Sequence, residues 1–581
     1  MRRPMPDESA LDGRVELFAR PDVEALFLPD GEIRLTSRSA PSPRVRTVLD
    51  WLARWAVETP DAPFVTEATG GTGAQDARAA LTYAEAWHDA GRIGAGLLAT
   101  GFSRGDRLLV VAPNRIAHMR IALAALRAGI VYVPVAPQYV GPGADVAKLA
   151  VVLDMIDPVA AYCTDALSAP HLIGRVPLLE GDAALEKLVA QAEGYADPDI
   201  SALDPEAVAK LLLTSGSTGA PKGVPYSQTI MTANTQATLD VWPFLLRHKP
   251  ILVDWLPWNH AFGGSNNVHI VLSQGGTLHI DSSRGRPENF SRSIEELRTL
   301  RPTFHGAVPA GWAALLQVIE ADRAFCEAFF SRLDVMFSAG AAMSADIFER
   351  LLRASETVRG YPVPIVTGWG ATETGPGATM VHAINAGPGG IGTPMPGVEI
   401  RLMPVGGKHE LRVRGPSVMA GYWRRDDLSA NVFDEEGFYC SGDAGKMVDP
   451  AHPELGLMFD GRLVDDFKLA NGSWVNTNRL RLDILRRADG ALRDVVIVGA
   501  DRPYVTALCW TDDAACLDDL FAAHNAENHG QTSRIHRFAA LDVAPSAEAG
   551  ELTMKGEINR RIFMARRPEI VAALYEEASV Q

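Results

Sequence analysis

Short apolar runs alternate with amphipathic stretches through about 450 residues of this chain, and few architectures accommodate that rhythm. Thr82 and Glu85, in LTYAEAWHDAGRIGAGLLATG, form the pattern that opens a helix, and Gly101 is placed to end it. RLLVVAP then reads as a buried strand, NRIAHMRIALAALRAG as a helix and IVYVPV as the next strand. The strand pattern returns in VAAYC, VPLLE, AKLLLTSG, ILVDWLP, GTLHI and PIVTGWG. Such alternation builds a parallel sheet covered by helices, so the fold class is α/β, with a large N-terminal domain of α/β subdomains. From Gly392 the texture changes to TPMPGVEIRLMPVGGKHELRVRGPSVMAGYW, whose glycines, prolines and short alternating runs predict a small β-rich subdomain. A second boundary falls at DGRLVDDFKLANGSW. Beyond it, VVIVGAD and VTALCW read as strands of a compact α+β C-terminal domain. The expected divisions are 1–460, a connector at 461–468, and 469–581.

A chain of 581 residues exceeds one ordinary core, which agrees with this division. The 55 basic and 71 acidic residues leave a net charge of −16, which opposes nucleic acid and anionic membranes as partners. Cys163, Cys326, Cys440, Cys509 and Cys516 are dispersed, odd in number and never spaced CxxC. A disulfide framework or zinc site is therefore not expected, and a reducing cytoplasm is. The start MRRPMPDESALDGR carries acidic residues where a signal peptide needs an apolar run, so no export is expected. The longest apolar region, 121–137, is broken by Arg127, Gly129 and Pro134 and is too short to span a bilayer. It reads as a buried helix followed by a strand, without integral membrane association. GPGGIG satisfies GxGxxG, but Pro394 and Pro396 stand where a dinucleotide-binding helix must begin. No GxSxG elbow exists to supply a hydrolase nucleophile.

The chemistry is concentrated at 211–223, LLLTSGSTGAPKG, where an apolar strand runs into small and hydroxylated residues. Gly216 and Gly219 let backbone N–H groups turn toward an anion. Thr214, Ser215, Ser217 and Thr218 offer hydroxyls, and Lys222 supplies charge. The order differs from GxxxxGK[ST], since Gly223 follows Lys222. A plain Gly/Ser turn is the alternative, disfavoured by the preceding strand and the density of donors. Lysine is scarce, nine among the 55 basic residues, so its placement is informative.

TSGSTGAPKG resembles the signature loop of the adenylate-forming superfamily, which comprises acyl-CoA synthetases, luciferases and peptide-synthetase adenylation domains. GWGATETGPG, YCSGD, DGRLVDDFK and TMKGE follow in the family's order, so the resemblance covers about residues 50–565. It implies that 214–222 hold the ATP phosphates, that Thr372 contacts the α-phosphate and that Glu373 holds Mg²⁺. Gly340, Ala341 and Ala342, in SAGAAMS, with Trp369 and Gly370, would bind adenine. Asp443 would accept the ribose hydroxyls beside Arg462. Val464, Asp465 and Asp466 would form the hinge of a mobile C-terminal domain, and Lys555 would be the catalytic lysine. The chain departs from the family with Trp369 where tyrosine is usual, Val464 where the hinge carries Asp or Lys, and Met554 rather than glycine before Lys555.

The implied reaction is ATP-dependent ligation of a small-molecule carboxylic acid to coenzyme A through an acyl-adenylate, by a cytoplasmic monomer or homodimer. Trp258, His260, Phe262, Gly263, Val308 and Pro309 are the acyl-pocket residues by motif position, with His260 as gate. His260 could equally be a satisfied core histidine. VDWLPWNHAFGG, DFKLANGSWV and the early FLPDGEIRL resemble bacterial feruloyl-CoA synthetases, which implies a hydroxycinnamate such as ferulate. Alternatives are a fatty acid, or transfer to a carrier-protein thiol.

Overall fold

The computed structural model describes residues 17–70, 77–136, 139–141, 144–164, 168–215, 221–340, 343–382, 387–541, 543–546, 549, 551–552 and 558–576. The expected α/β alternation is realised in two of its sheets. One has six strands: Arg107–Val111, Val131–Pro134, Ala160–Cys163 and Leu178–Glu180 run parallel, and Val208–Ser215 joins them parallel to Val131–Pro134. The edge strand Pro221–Ser227 folds back antiparallel on Val208–Ser215. That strand is not apparent in the sequence pattern. It sets Lys222 opposite Thr214.

The other sheet orders Ile251–Asp254, Thr277–Ile280, Pro63–Ala68 and Arg78–Thr82. The helix Tyr83–Ala99 opens as expected. Thr82 N–H donates to Glu85 Oε2 at 2.8 Å, and Glu85 N–H donates to Thr82 Oγ1 at 3.2 Å. It shares one core with the helix Ile116–Ala128. Each fully buried side chain there, such as Leu97 or Ile121, stabilises by roughly 1.5–3 kcal/mol.

The β-rich region expected after Gly392 is antiparallel, and it is continuous with parallel strands rather than separate from them. A single eleven-stranded sheet begins with Phe304–Ala307, Val335–Ser338 and Ile365–Trp369 and continues through the antiparallel strands up to Arg462. It ends on a hairpin from the start of the chain, Val23–Phe27 with Ile33–Ser37, in which Leu35 pairs with Ile400. GPGGIG leads into the strand Gly390–Pro394, not into a helix.

Beyond Arg462 the chain builds cores of its own. Phe467, Leu469, Ile484 and Phe521 gather in one, and Val496, Leu508 and Phe563 in another, around the sheet of Asp494–Val498, Val505–Trp510 and Ile535–Ala540. All five cysteines are free. Among the described residues no helix is long and apolar enough to cross a membrane.

Candidate active site

The parallel part of the large sheet aligns the expected nucleotide residues along one edge. Ala307 pairs with Ser338 and Ser338 with Thr367, so the strands end together. Val308 and Pro309 follow the first strand and Gly340 the second, while Trp369, Gly370 and the turn Thr372–Thr374 close the third. Ligands favour this edge because the strand ends and their loops open a crevice there. Gly340 has φ +96°, a conformation in which a side chain would be strained. Ala341 and Ala342 lie outside the described residues, as do Gly216, Ser217, Thr218 and Gly219.

Glu373 is buried, and Tyr422 donates its hydroxyl to Glu373 Oε1 at 2.9 Å. Burial and, after it, the Glu373 charge push the Tyr422 hydroxyl well above its ordinary pKa, so it stays a donor. Lys222 Nζ stands 4.6 Å from the centre of the same Tyr422 ring. Tyr226, on the strand that carries Lys222, donates to the Thr372 carbonyl at 2.6 Å. Trp423 N–H donates to the Gly223 carbonyl at 2.8 Å. The two polar hot spots of the sequence, 214–222 and 372–373, are thus joined through Tyr226, Tyr422 and Trp423. Thr214 is half-buried on its strand, and Ser215 ends that strand.

Asp443 and Arg462 pair across neighbouring strands, with Arg462 Nε 3.6 Å from Asp443 Oδ1. Trp369 Nε1–H donates to Asp443 Oδ2 at 2.9 Å. The indole expected to lie against adenine therefore also fixes the carboxylate expected to hold the ribose. Tyrosine has no ring N–H to offer in its place.

The residues expected to line an acyl pocket divide. His260 is half-buried in the turn after Ile251–Asp254, its N–H donating to the Pro257 carbonyl at 3.0 Å and its carbonyl accepting Gly264 N–H at 2.8 Å. A π-helical turn, Phe262–Asn267, follows, a form common where function imposes it. Phe262 meets Phe337 edge-on, with centroids 5.2 Å apart, beside Gly306. It is thereby brought to the strand end that carries Val308 and Pro309. Gly263 is buried in the same turn. Trp258 packs instead on His118, with centroids 5.2 Å apart, and its Nε1–H is buried without a hydrogen-bond partner among the described residues.

At the connector Val464 is 76% exposed, whereas its neighbours are tied down. Asp466 accepts from Thr477 N–H at 3.0 Å and pairs with Lys408 of the strand Lys408–Arg414. The Asp465 carbonyl accepts from Arg560. Lys555 lies outside the described residues. Tyr226, Tyr422 and the interior Lys210 are not singled out by any motif. Only Lys210 leaves a trace in the sequence, as one of nine lysines set inside the apolar run AKLLLTSG.

The model of the AMP-binding enzyme family matches residues 52–423, and the chain belongs to that family. It is an adenylate-forming enzyme of the acid:CoA ligase class. A feruloyl-CoA synthase of an Amycolatopsis species is 31% identical over 404 residues, 68% of this chain and 74% of that protein. The long-chain-fatty-acid–CoA ligase FadD15 of Mycobacterium bovis is 24% identical over 579 residues, 86% and 92% of the two chains. Among solved structures, ATP-bound MatB from Rhodopseudomonas palustris superposes with a TM-score of 0.72 at 22% identity, covering 90% of this chain and all of that one.

Proposed function

We propose that this ligase activates an aromatic carboxylate of the hydroxycinnamate type, such as ferulate, and transfers it to coenzyme A. The observation that carries the aromatic choice is the aromatic corner where Phe262 meets Phe337 edge-on beside Gly306, near the strand end followed by Val308 and Pro309. The identity to a feruloyl-CoA synthase supports it. ATP and CoA are the co-substrates of the class. In the first step the substrate carboxylate attacks the α-phosphorus in line and pyrophosphate leaves. In the second the CoA thiol displaces AMP from the acyl-adenylate.

The chain supplies positioning and charge rather than a nucleophile. Lys222 and residues 214–219 hold phosphate, Thr372 donates at the α-phosphate, and Asp443, set by Trp369 and Arg462, holds the ribose. Glu373 suits a hard cation. Its buried carboxylate is oriented by Tyr422, and among the described residues no group of three or more His, Cys, Asp or Glu is placed to hold a metal. Mg²⁺ bound there would take phosphate oxygens and water as its other ligands and would neutralise phosphate charge. Lys555 bridges carboxylate and α-phosphate, and 461–468 is the hinge about which 469–581 turns between the two steps, bringing the face near 469–475 toward the thiol. The enzyme works in the cytoplasm.

Pyrophosphate release is the test, with ferulate, coumarate, benzoate and fatty acids, with and without CoA. Release with ferulate or coumarate is expected. Release with fatty acids alone would overturn the aromatic assignment. Acylation of a carrier protein without consumption of free CoA would replace CoA as acceptor.

A further inference from the structure

Lys210 is 2% exposed, on the strand Val208–Ser215 whose end begins the segment 214–222 proposed to hold phosphate. It lies across from Tyr132 on one neighbouring strand and Tyr226 on the other. Its ammonium donates to the Gly264 carbonyl at 2.7 Å and to Ser265 Oγ at 3.1 Å, and lies 5.6 Å from the centre of the Tyr132 ring. Both acceptors belong to the π-helical turn Phe262–Asn267. Burial alone pulls the Lys210 pKa down to about 7, the mark of an amine enclosed among neutral groups. An apolar side chain of the same length would avoid that cost, so the retention of lysine calls for something its N–H groups do.

Those N–H groups add to the bonds that hold the turn, among them Asn267 Nδ2–H donating to Asp254 Oδ2 at 3.0 Å. A Cβ on Gly264 would run into the Trp258 carbonyl, so the turn is packed directly against the backbone that carries the PWNH residues. Gly264 N–H in turn donates to the His260 carbonyl at 2.8 Å. The bonds therefore run from Lys210 to Gly264 and from Gly264 to His260. Lys210 and Thr214 are four residues apart on one strand, and hence on one face, about 13 Å from each other. One rigid strand thus carries a phosphate-loop hydroxyl at its end and, behind it, the anchor of the acyl gate.

We infer that Lys210 is a positioning residue for the acid: by gripping Gly264 and Ser265 it fixes the turn that presents His260 and Phe262, and it ties that turn to the strand of the phosphate loop. This rests on the assignment of 258–263 to the acyl pocket. The ATP phosphates are held elsewhere on the same strand, so loss of the grip acts on the acid more than on the nucleotide.

The test is Lys210→Met in the full chain, which keeps length and apolar bulk and removes every donor. With pyrophosphate release as readout, the KM for the preferred acid is expected to rise about 10-fold or more while the KM for ATP stays within about twofold. Ser265→Ala, which removes one acceptor from the other side, is expected to raise the acid KM about threefold without changing the KM for ATP. The ratio of rates with ferulate and with a fatty acid should shift in both variants. Unchanged acid KM in either variant overturns the inference. So does an equal rise for acid and ATP, which is what general loosening produces. If Lys210→Met does not fold, Ser265→Ala decides alone. A wild-type acid KM that does not change when His260 and Phe262 are each replaced by Ala would instead remove the acyl-pocket reading of 258–263, and this inference with it.

Discussion

The hydroxyl of Tyr422 donates to Glu373 at 2.9 Å while Lys222 rests 4.6 Å from the centre of the same ring, so one tyrosine stands between the carboxylate proposed for Mg²⁺ and the lysine proposed for phosphate. Tyr422→Phe keeps the ring under Lys222 and removes only the donor. Because a hydrogen bond to a charged group contributes roughly 1.5–3 kcal/mol, we expect the rate of pyrophosphate release to fall by about 10-fold or more. A higher Mg²⁺ requirement should accompany it. Unchanged rate and Mg²⁺ dependence would show that Glu373 needs no such orientation.

Trp369 and Asp443 offer a cleaner separation of roles. Trp369→Phe retains an aromatic surface for adenine but loses the 2.9 Å bond to Asp443. The KM for ATP should rise about 10-fold with kcat little changed, as measured by initial rates at saturating acid. If only Trp369→Ala raises it, the ring and not the N–H carries the effect.

Lys555→Ala is expected to abolish adenylation and to spare thioester formation from supplied acyl-adenylate. Equal loss of both half-reactions, followed separately by pyrophosphate and by CoA consumption, would count against a turning C-terminal domain.

The buried pair Lys408–Asp466 ties the connector to the large sheet, with side chains only 9% and 7% exposed. Removing one partner of such a pair costs about 3–5 kcal/mol. Lys408→Met should therefore lower the melting temperature and speed limited proteolysis around Val464. Cleavage at the wild-type rate would mean that the pair does not restrain the connector.

Acid sensitivity follows from buried neutral histidines. His118 donates through Nδ1 to the Pro113 carbonyl and accepts the Tyr132 hydroxyl at Nε2, 2.6 Å away. Burial lowers its pKa to about 4, that of His305 to about 4 and that of His269 to about 3. The unfolded chain takes up protons near pH 6.5 that the folded chain refuses until about pH 4. Stability is thus complete above pH 6.5 and is lost as pH falls toward 4. His118→Gln should flatten the dependence of unfolding free energy on pH in that window by up to about 1.4 kcal/mol per pH unit.

Elements whose signal is local were legible in the sequence. The capping box of Thr82 and Glu85 forms as its spacing demands, and VVIVGAD and VTALCW are strands because β-branched residues fill them. Thr372 and Glu373 fall on a turn after a parallel strand, whereas Asp443 lies within the strand Tyr439–Met447. The amino-acid order by itself therefore determined the α/β class. Tertiary structure alone decided which distant groups meet. Leu35 pairs with Ile400, Tyr422 reaches Glu373, Trp369 reaches Asp443, and Lys210 is enclosed against Gly264. The physical reason is that local patterning dictates backbone periodicity, whereas a hydrogen bond across tens or hundreds of residues exists only after the sheets have packed and excluded water.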